Sequence, residues 1–502
     1  MAEPGKQTSN TKQAVWVSIG SFFSFLVGII SPMILSRYFD KADYGTYKQV
    51  MYVYSTLLGV FTLGLPRAYA YFIPKGTESQ SKDVISKITI LFIILGAIFS
   101  LILFLTAGII AEILNNPDLE LAIRFFSPVP LLLLPTLGLD GILASYQKTK
   151  FLALYTIVTR IVTVICIVVP VVFMNGDYIS AIVGFDLASL ATCIFALALK
   201  DYPIRKYKRT QSAFTYYHIL KFSIPLAFAS VWGMLINSSN QFFISRYFGS
   251  QVFADYSNGF MDIPFVGMIV GSISIVLQPL FSRLELQKDG IRMILETWRS
   301  TLIKSAMLVL PMLIYGIFVN VILMSVMYGD MYSGSGKYFF LKCIVSSFSL
   351  VPYVPVFLAL GQTKIYANVH MVTALLLVVF QYVIVHICSH PFAIPVVYVV
   401  VDLLKVCILL HFMTKYLKVK FSDFIPAGKI LHVIFLSVAS GLAVLLLLSP
   451  VHMNNLAYLI VSSLLFTILY LALSRVTNLS YKSLVSSVLP AYIGKLIARI
   501  IP

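Results

Sequence analysis

Residues 86–112 read SKITILFIILGAIFSLILFLTAGIIAE, and from Ile88 to Ala111 there is no charged side chain. As a helix rising 1.5 Å per residue, such a run crosses a hydrocarbon core of ~30 Å. It is too long for a barrel strand, which spans about 10 residues and alternates apolar with polar. The rest of the chain resembles this stretch. Of 502 residues 59% are apolar and 11% charged, against roughly 25% charged in a soluble domain. Those charges are too few to solvate a compact surface of this size, so lipid is the solvent and the backbone must satisfy itself as helices.

Windows of about 19 residues place fourteen spans near 14–36, 46–72, 86–112, 121–145, 151–174, 178–200, 219–245, 254–281, 300–327, 337–360, 364–388, 394–416, 430–449 and 455–474. The loops are too short for a soluble domain. Residues 1–13 carry Lys6 and Lys12 and lead into a long apolar segment with no small-residue cleavage site, which reads as a retained first helix. With the N-terminus cytoplasmic, 28 of the 37 basic residues lie inside, 7 outside, and Arg160 and Lys405 within spans. That is a strong positive-inside bias. It also accounts for the net charge of +17 without a nucleic-acid partner. The tail 475–502 alternates Lys and Arg with apolar residues and reads as an interfacial helix or pair of helices on the cytoplasmic face.

The chain repeats itself. Ser36-Arg37-Tyr38-Phe39 recurs as Ser245-Arg246-Tyr247-Phe248, displaced by 209 residues, and Ala42-Asp43-Tyr44 as Ala254-Asp255-Tyr256, displaced by 212. Gln147-Lys148-Thr149-Lys150 after the fourth span recurs as Gln362-Thr363-Lys364 after the tenth. Asp186-Leu187 recurs as Asp402-Leu403, displaced by 216. Three matches in order, each at the same place in a six-span plan, imply two similarly oriented halves. The expected fold is an all-α membrane protein of 14 transmembrane helices: two pseudo-symmetric six-helix lobes plus two C-terminal helices. The expected divisions are an N-lobe at 1–209, a C-lobe at 210–420, spans thirteen and fourteen at 421–474 and the tail at 475–502.

The first exit loop, Ser36-Arg37-Tyr38-Phe39 followed by Ala42-Asp43-Tyr44-Gly45-Thr46-Tyr47, resembles that of the polysaccharide-export (Wzx-type O-antigen flippase) branch of the multidrug/oligosaccharidyl-lipid/polysaccharide superfamily. Gly64-Leu65-Pro66, the exit of span seven and the fourteen-span count fit the same family. The resemblance covers nearly the whole chain, most clearly 14–75 and 219–285. It implies a V-shaped cavity between two six-helix lobes and passage of undecaprenyl-pyrophosphate-linked oligosaccharide across the bacterial inner membrane by alternating access. The implied pathway is O-antigen, capsule or exopolysaccharide assembly, with a polysaccharide polymerase and glycosyltransferases as neighbours. One departure concerns span seven, where relatives carry an acid followed by a base and this chain has Asn240-Gln241; ion coupling through that acid is in doubt.

A bulky anionic lipid-linked sugar requires a polar, positively charged cavity that also opens to lipid. Charges within spans face such interiors. Arg160 lies about ten residues into span five, roughly 14 Å from its cytoplasmic end, too deep for easy snorkelling; the alternative is a structural ion pair, with Asp186 a candidate partner. Lys405 has Asp402 three residues before it on one helical face, which favours self-neutralisation over a cavity lining. Asp186 lacks such a neighbour and is a candidate for coupling or for pairing across helices. Arg67 follows Gly64-Leu65-Pro66, where phosphate would enter. Arg37 and Arg246 are a repeat pair at outer span ends, either snorkelling or ringing the cavity mouth. Asp140 and Asp262 are weaker candidates for coupling or ion pairs. The run Asn237-Ser238-Ser239-Asn240-Gln241 covers every face of a helix, which suits sugar binding at Asn237, Asn240 and Gln241 or contacts between helices.

No HExxH, P-loop or GxSxG motif is present, so no enzyme activity, metal or cofactor is expected. The five cysteines lie in apolar runs without CxxC spacing, and His386 and His390 lack a third ligand nearby. Two other functions compete. A cation-coupled multidrug antiporter of the same superfamily would want acids in the first span, and residues 14–36 contain none. A membrane glycosyltransferase or O-antigen polymerase would want a large external loop or a catalytic acidic pair.

Overall fold

The computed structural model describes residues 10–420 and 424–477, and among them the chain is all helical. From 478 onward the expected interfacial tail lies outside the described residues. Among the described residues, thirteen helices are long and apolar enough to cross a membrane, from Gly20–Tyr38 to Asn455–Val476. Each overlaps one of the expected spans. The seventh expected span falls within the helix Tyr216–Gly259, whose regular geometry is interrupted at Gly249. The chain divides into two compact units, Met1–Ala254 and Asp255–Pro502.

Third-span residues show why lipid selects this fold. Glu78–Ile113 buries Phe92, Gly96, Phe99, Leu103 and Ala107, spaced by three or four residues, against its neighbours. Its other face exposes Ile94, Ile98, Leu101, Leu105 and Ile109. A helix apolar on both its buried and its exposed face is a membrane helix. Lipid supplies little hydrophobic drive for helix association, so close packing matters more. At Gly184 in the sixth span, an added Cβ would lie only 2.8 Å from the carbonyl carbon of Cys166 in the fifth.

Several spans are broken, which the hydropathy windows did not foresee. The second stops at Phe61 and restarts at Pro66, with Leu63 and Gly64 at positive φ. Proline suits that restart because the first helical residue needs no amide hydrogen. The fourth consists of Asp118–Phe126, Val129–Leu133 and Leu139–Ser145, with Gly138 at φ +75° before the last piece. In the second unit, Gly336–Phe348 is followed by Tyr353–Ala359.

The element bounds carry the repeat further than the short motifs do. Leu139–Ser145, Thr149–Met174 and Tyr178–Asp201 in the first unit are followed in the second by Tyr353–Ala359, Thr363–Ile387 and Ala393–Leu417. Two residues after the short piece in each unit the chain takes a positive φ, at Gln147 in one and Gly361 in the other. The helices Ala427–Leu448 and Asn455–Val476 follow in the second unit.

Candidate functional site

In the first unit the fifth span packs along the first, with Gly20 against Ala153. Beside that contact lies a cavity of about 450 Å3, whose polar lining is Ser21, Ser24, Asp140 and Thr156. Arg160 stands one turn beyond Thr156 on the same helical face, and its side chain is exposed. Asp186 is half-buried, and one of its carboxylate oxygens is buried without a hydrogen-bond partner among the described residues. No ion pair among the described residues joins Arg160 to Asp186. Spacing along one helix fixes a face, whereas meeting across two helices depends on the rotation of each.

The other first-unit candidates are scattered. Arg67 is exposed just after the break in the second span. Arg37 donates to the Met33 carbonyl of its own helix end. Arg246 donates to the carbonyls of Glu112 and Ile113, the last turn of the third span. Both arginines therefore serve helix C-termini, where the exposed carbonyls favour a cation. Asn237 is exposed, Asn240 buried and Gln241 half-buried. Between them Ser238 accepts from the Tyr52 hydroxyl at its carbonyl (3.5 Å) and from the Thr56 hydroxyl at its Oγ (3.1 Å), so part of this run serves contacts between helices.

In the second unit Asp402 and Lys405 are buried and ion-paired across one helical turn, as their spacing suggested. Lys405 also lines a cavity of about 220 Å3 with Asn368 and Thr373. His370 lies against Tyr366, the ring centres 4.3 Å apart and the planes tilted by 48°, and its Nε2 is buried without a partner among the described residues. Asp262 is exposed and paired with Lys342 at 2.6 Å. An apolar cavity of about 730 Å3 in this unit is bounded by Met307, Pro311 and Leu323 on one side and by Phe466, Tyr470 and Leu471 of the fourteenth span on the other. Among the described residues no cluster of three or more His, Cys, Asp or Glu is arranged to hold a metal ion.

Sequence reasoning missed two polar features. The first is Lys200, which a scan of basic residues reads only as a charge at the cytoplasmic end of a span. It is buried, and donates to the Leu137 carbonyl (2.7 Å) and the Tyr69 hydroxyl (2.9 Å). Its place as the last residue of the expected span 178–200 was the available signal. Buried amides form the second: Gln49 donates to Ser245 Oγ at 2.6 Å, and Asn116 donates to Thr46 Oγ1 at 2.9 Å and Gln49 Oε1 at 2.5 Å. Isolated amides carry no periodic signature that a sequence scan detects.

The family profile described as "Polysaccharide biosynthesis protein" matches residues 11–285, more than half of the chain. The chain belongs to that family. It is also 24% identical to the uncharacterized membrane protein MJ1375 of Methanocaldococcus jannaschii, over 56% of this chain and 70% of that protein. Among solved structures, the lipid II flippase MurJ in an inward closed conformation superposes with a TM-score of 0.73 at 16% identity, covering 93% of this chain and 99% of that one. An inward-facing multidrug resistance MATE transporter of the MOP superfamily superposes with a TM-score of 0.56 at 12% identity, covering 81% and 98%. At these identities the superpositions establish the fold of the MOP transporters. This member of the polysaccharide biosynthesis family is thus a multi-pass membrane protein with that fold.

Proposed function

We propose that the chain is a flippase that carries polyprenyl-pyrophosphate-linked oligosaccharide across the bacterial inner membrane by alternating access, for assembly of O-antigen, capsule or exopolysaccharide. Arg160 carries the reading: an exposed guanidinium well inside a membrane span, on the helical face that also lines a polar cavity. A charge so placed is costly unless it meets water or an anion, and a lipid-linked pyrophosphate supplies the anion. The apolar cavity of about 730 Å3 in the second unit suits the prenyl chain, and family membership supports a polysaccharide substrate. Both termini are assigned to the cytoplasm by the distribution of Lys and Arg. The two six-span lobes are taken as 1–209 and 210–420, with 421–474 and the tail added. Arg67, Lys405, Asn237, Asn240 and Gln241 are further substrate contacts in this reading, and polymerase and glycosyltransferases are its partners. The protein moves its substrate without a chemical step.

A second reading rests on Asp186. A carboxylate oxygen buried in a span without a partner among the described residues is suited to bind a proton or metal cation, as a cation-coupled antiporter of this fold requires. Deleting the gene separates the alternatives. A flippase deletion leaves complete lipid-linked units inaccessible to a glycan-modifying enzyme added outside. Single repeat units accumulating on the outer face would mean a polymerase. Unchanged lipid-linked intermediates with heightened sensitivity to cationic drugs would mean an antiporter.

A further inference from the structure

The segment joining the sixth and seventh spans has more order than a topogenic loop needs. It begins one residue after the candidate span Tyr178–Ile204 and carries Arg205, Lys206, Lys208 and Arg209 within five residues. Its fixed point is Asp83, a buried carboxylate in the first turns of the third span. Arg209 binds one oxygen of Asp83 through Nε and Nη2, both at 2.8 Å. Ser212 binds the other through its amide (3.0 Å) and hydroxyl (2.8 Å). Lys87 completes the clasp, 2.6 Å from Asp83 Oδ2 and donating to the Phe214 carbonyl at 2.9 Å. Two more ties extend it, from the Lys82 ammonium to the Tyr207 carbonyl (3.3 Å) and from the Thr210 amide to the Ser79 carbonyl (3.2 Å).

The clasp ties Arg209 to Asp83 and leaves Arg205, Lys206 and Lys208 exposed beside it, on a backbone that is already held. Tyr202, Tyr207 and Tyr217 beside them are exposed too, the aromatic composition of a membrane–water interface. So close to the end of a span, these cations stand at headgroup depth. Setting topology requires only that the charges be present. Fixing the backbone in advance removes the ordering cost that a slack loop would incur on binding a ligand.

We propose that Arg205, Lys206 and Lys208, presented by the Asp83 clasp, form a binding site for anionic phospholipid headgroups of the leaflet on that face. The site rests on the membrane reading and not on the transported substrate, so it stands or falls separately from the flippase assignment. The test is native mass spectrometry of the full chain, released from nonionic-detergent micelles supplemented equally with phosphatidylglycerol and phosphatidylcholine. Wild-type protein should retain phosphatidylglycerol preferentially. The triple substitution Arg205→Gln, Lys206→Gln, Lys208→Gln lies outside the clasp and should weaken that retention about fivefold per charge removed, at ~1 kcal/mol per basic residue near an anionic surface. Asp83→Asn, with Ser212→Ala as the milder release of the loop, separates a built site from diffuse charge. Both keep every basic residue, and Asp83→Asn makes the protein more positive. A built site predicts weaker binding in both. Equal retention of the two lipids by wild type, no loss in the triple variant, or tighter binding in Asp83→Asn would each overturn the proposal.

Discussion

The two units break a membrane span at matching places and cap the break differently. In the first, the carbonyl of Leu137, ahead of the helix Leu139–Ser145, accepts from the Lys200 ammonium at 2.7 Å. In the second, the carbonyl of Pro352, ahead of Tyr353–Ala359, accepts from the Trp298 indole at 3.2 Å. An unpaired backbone group within a membrane costs several kcal/mol, so a donor is required at either break. The first unit meets that need with a buried charge, cushioned by the rings of Tyr69 and Phe92 with centres 4.6 and 5.5 Å away. The second uses a neutral donor stacked on Phe424, 4.4 Å between ring centres. Its own buried ammonium, Lys405, is instead neutralised by Asp402. One architectural demand has thus been met by a charged solution and by a neutral one.

Five substitutions probe that contrast through SDS-induced unfolding in mixed micelles. Lys405→Met should have the largest effect, because it strands the Asp402 carboxylate in the interior at a cost of about 3–5 kcal/mol. Adding Asp402→Leu should recover most of that loss, and a double variant as unstable as the single would deny that the two charges balance each other. Lys200→Met removes the charged donor from both Leu137 and Tyr69, costing about 3 kcal/mol. Trp298→Phe removes one neutral hydrogen bond but keeps a ring against Phe424, and about 1 kcal/mol is expected. Equal losses at Lys200 and Trp298 would erase the distinction between the two caps. Arg246→Gln, at an exposed helix end, should cost less than about 1 kcal/mol.

The same contrast explains what could be read in the sequence. Span positions were legible because a helix crossing lipid needs an apolar run of a set length, and polar residues bound each run. The Asp402–Lys405 pair was legible because three residues of separation place both on one face of a helix. The breaks at Leu63, Gly64 and Gly138 were not, since they depend on single backbone torsions that hydropathy averages away. Neither was the position of Lys200, which meets Tyr69 and Leu137 only after three distant segments have packed. Arg160 and Asp186 illustrate the limit: the sequence marked both as costly charges within spans, but whether they meet depends on helix rotations it does not encode.

The flippase account turns on Arg160, and export of surface polysaccharide in a strain lacking the chromosomal copy tests it directly. Arg160→Lys keeps a cation on the cavity face of the fifth span and should retain substantial export. Arg160→Ala should lose most of it, and Arg160→Glu should lose all, with each variant shown to reach the membrane at the wild-type level. Equal export by all three would contradict the account, because a site built for an anionic lipid carrier cannot be indifferent to the sign of the charge that meets it.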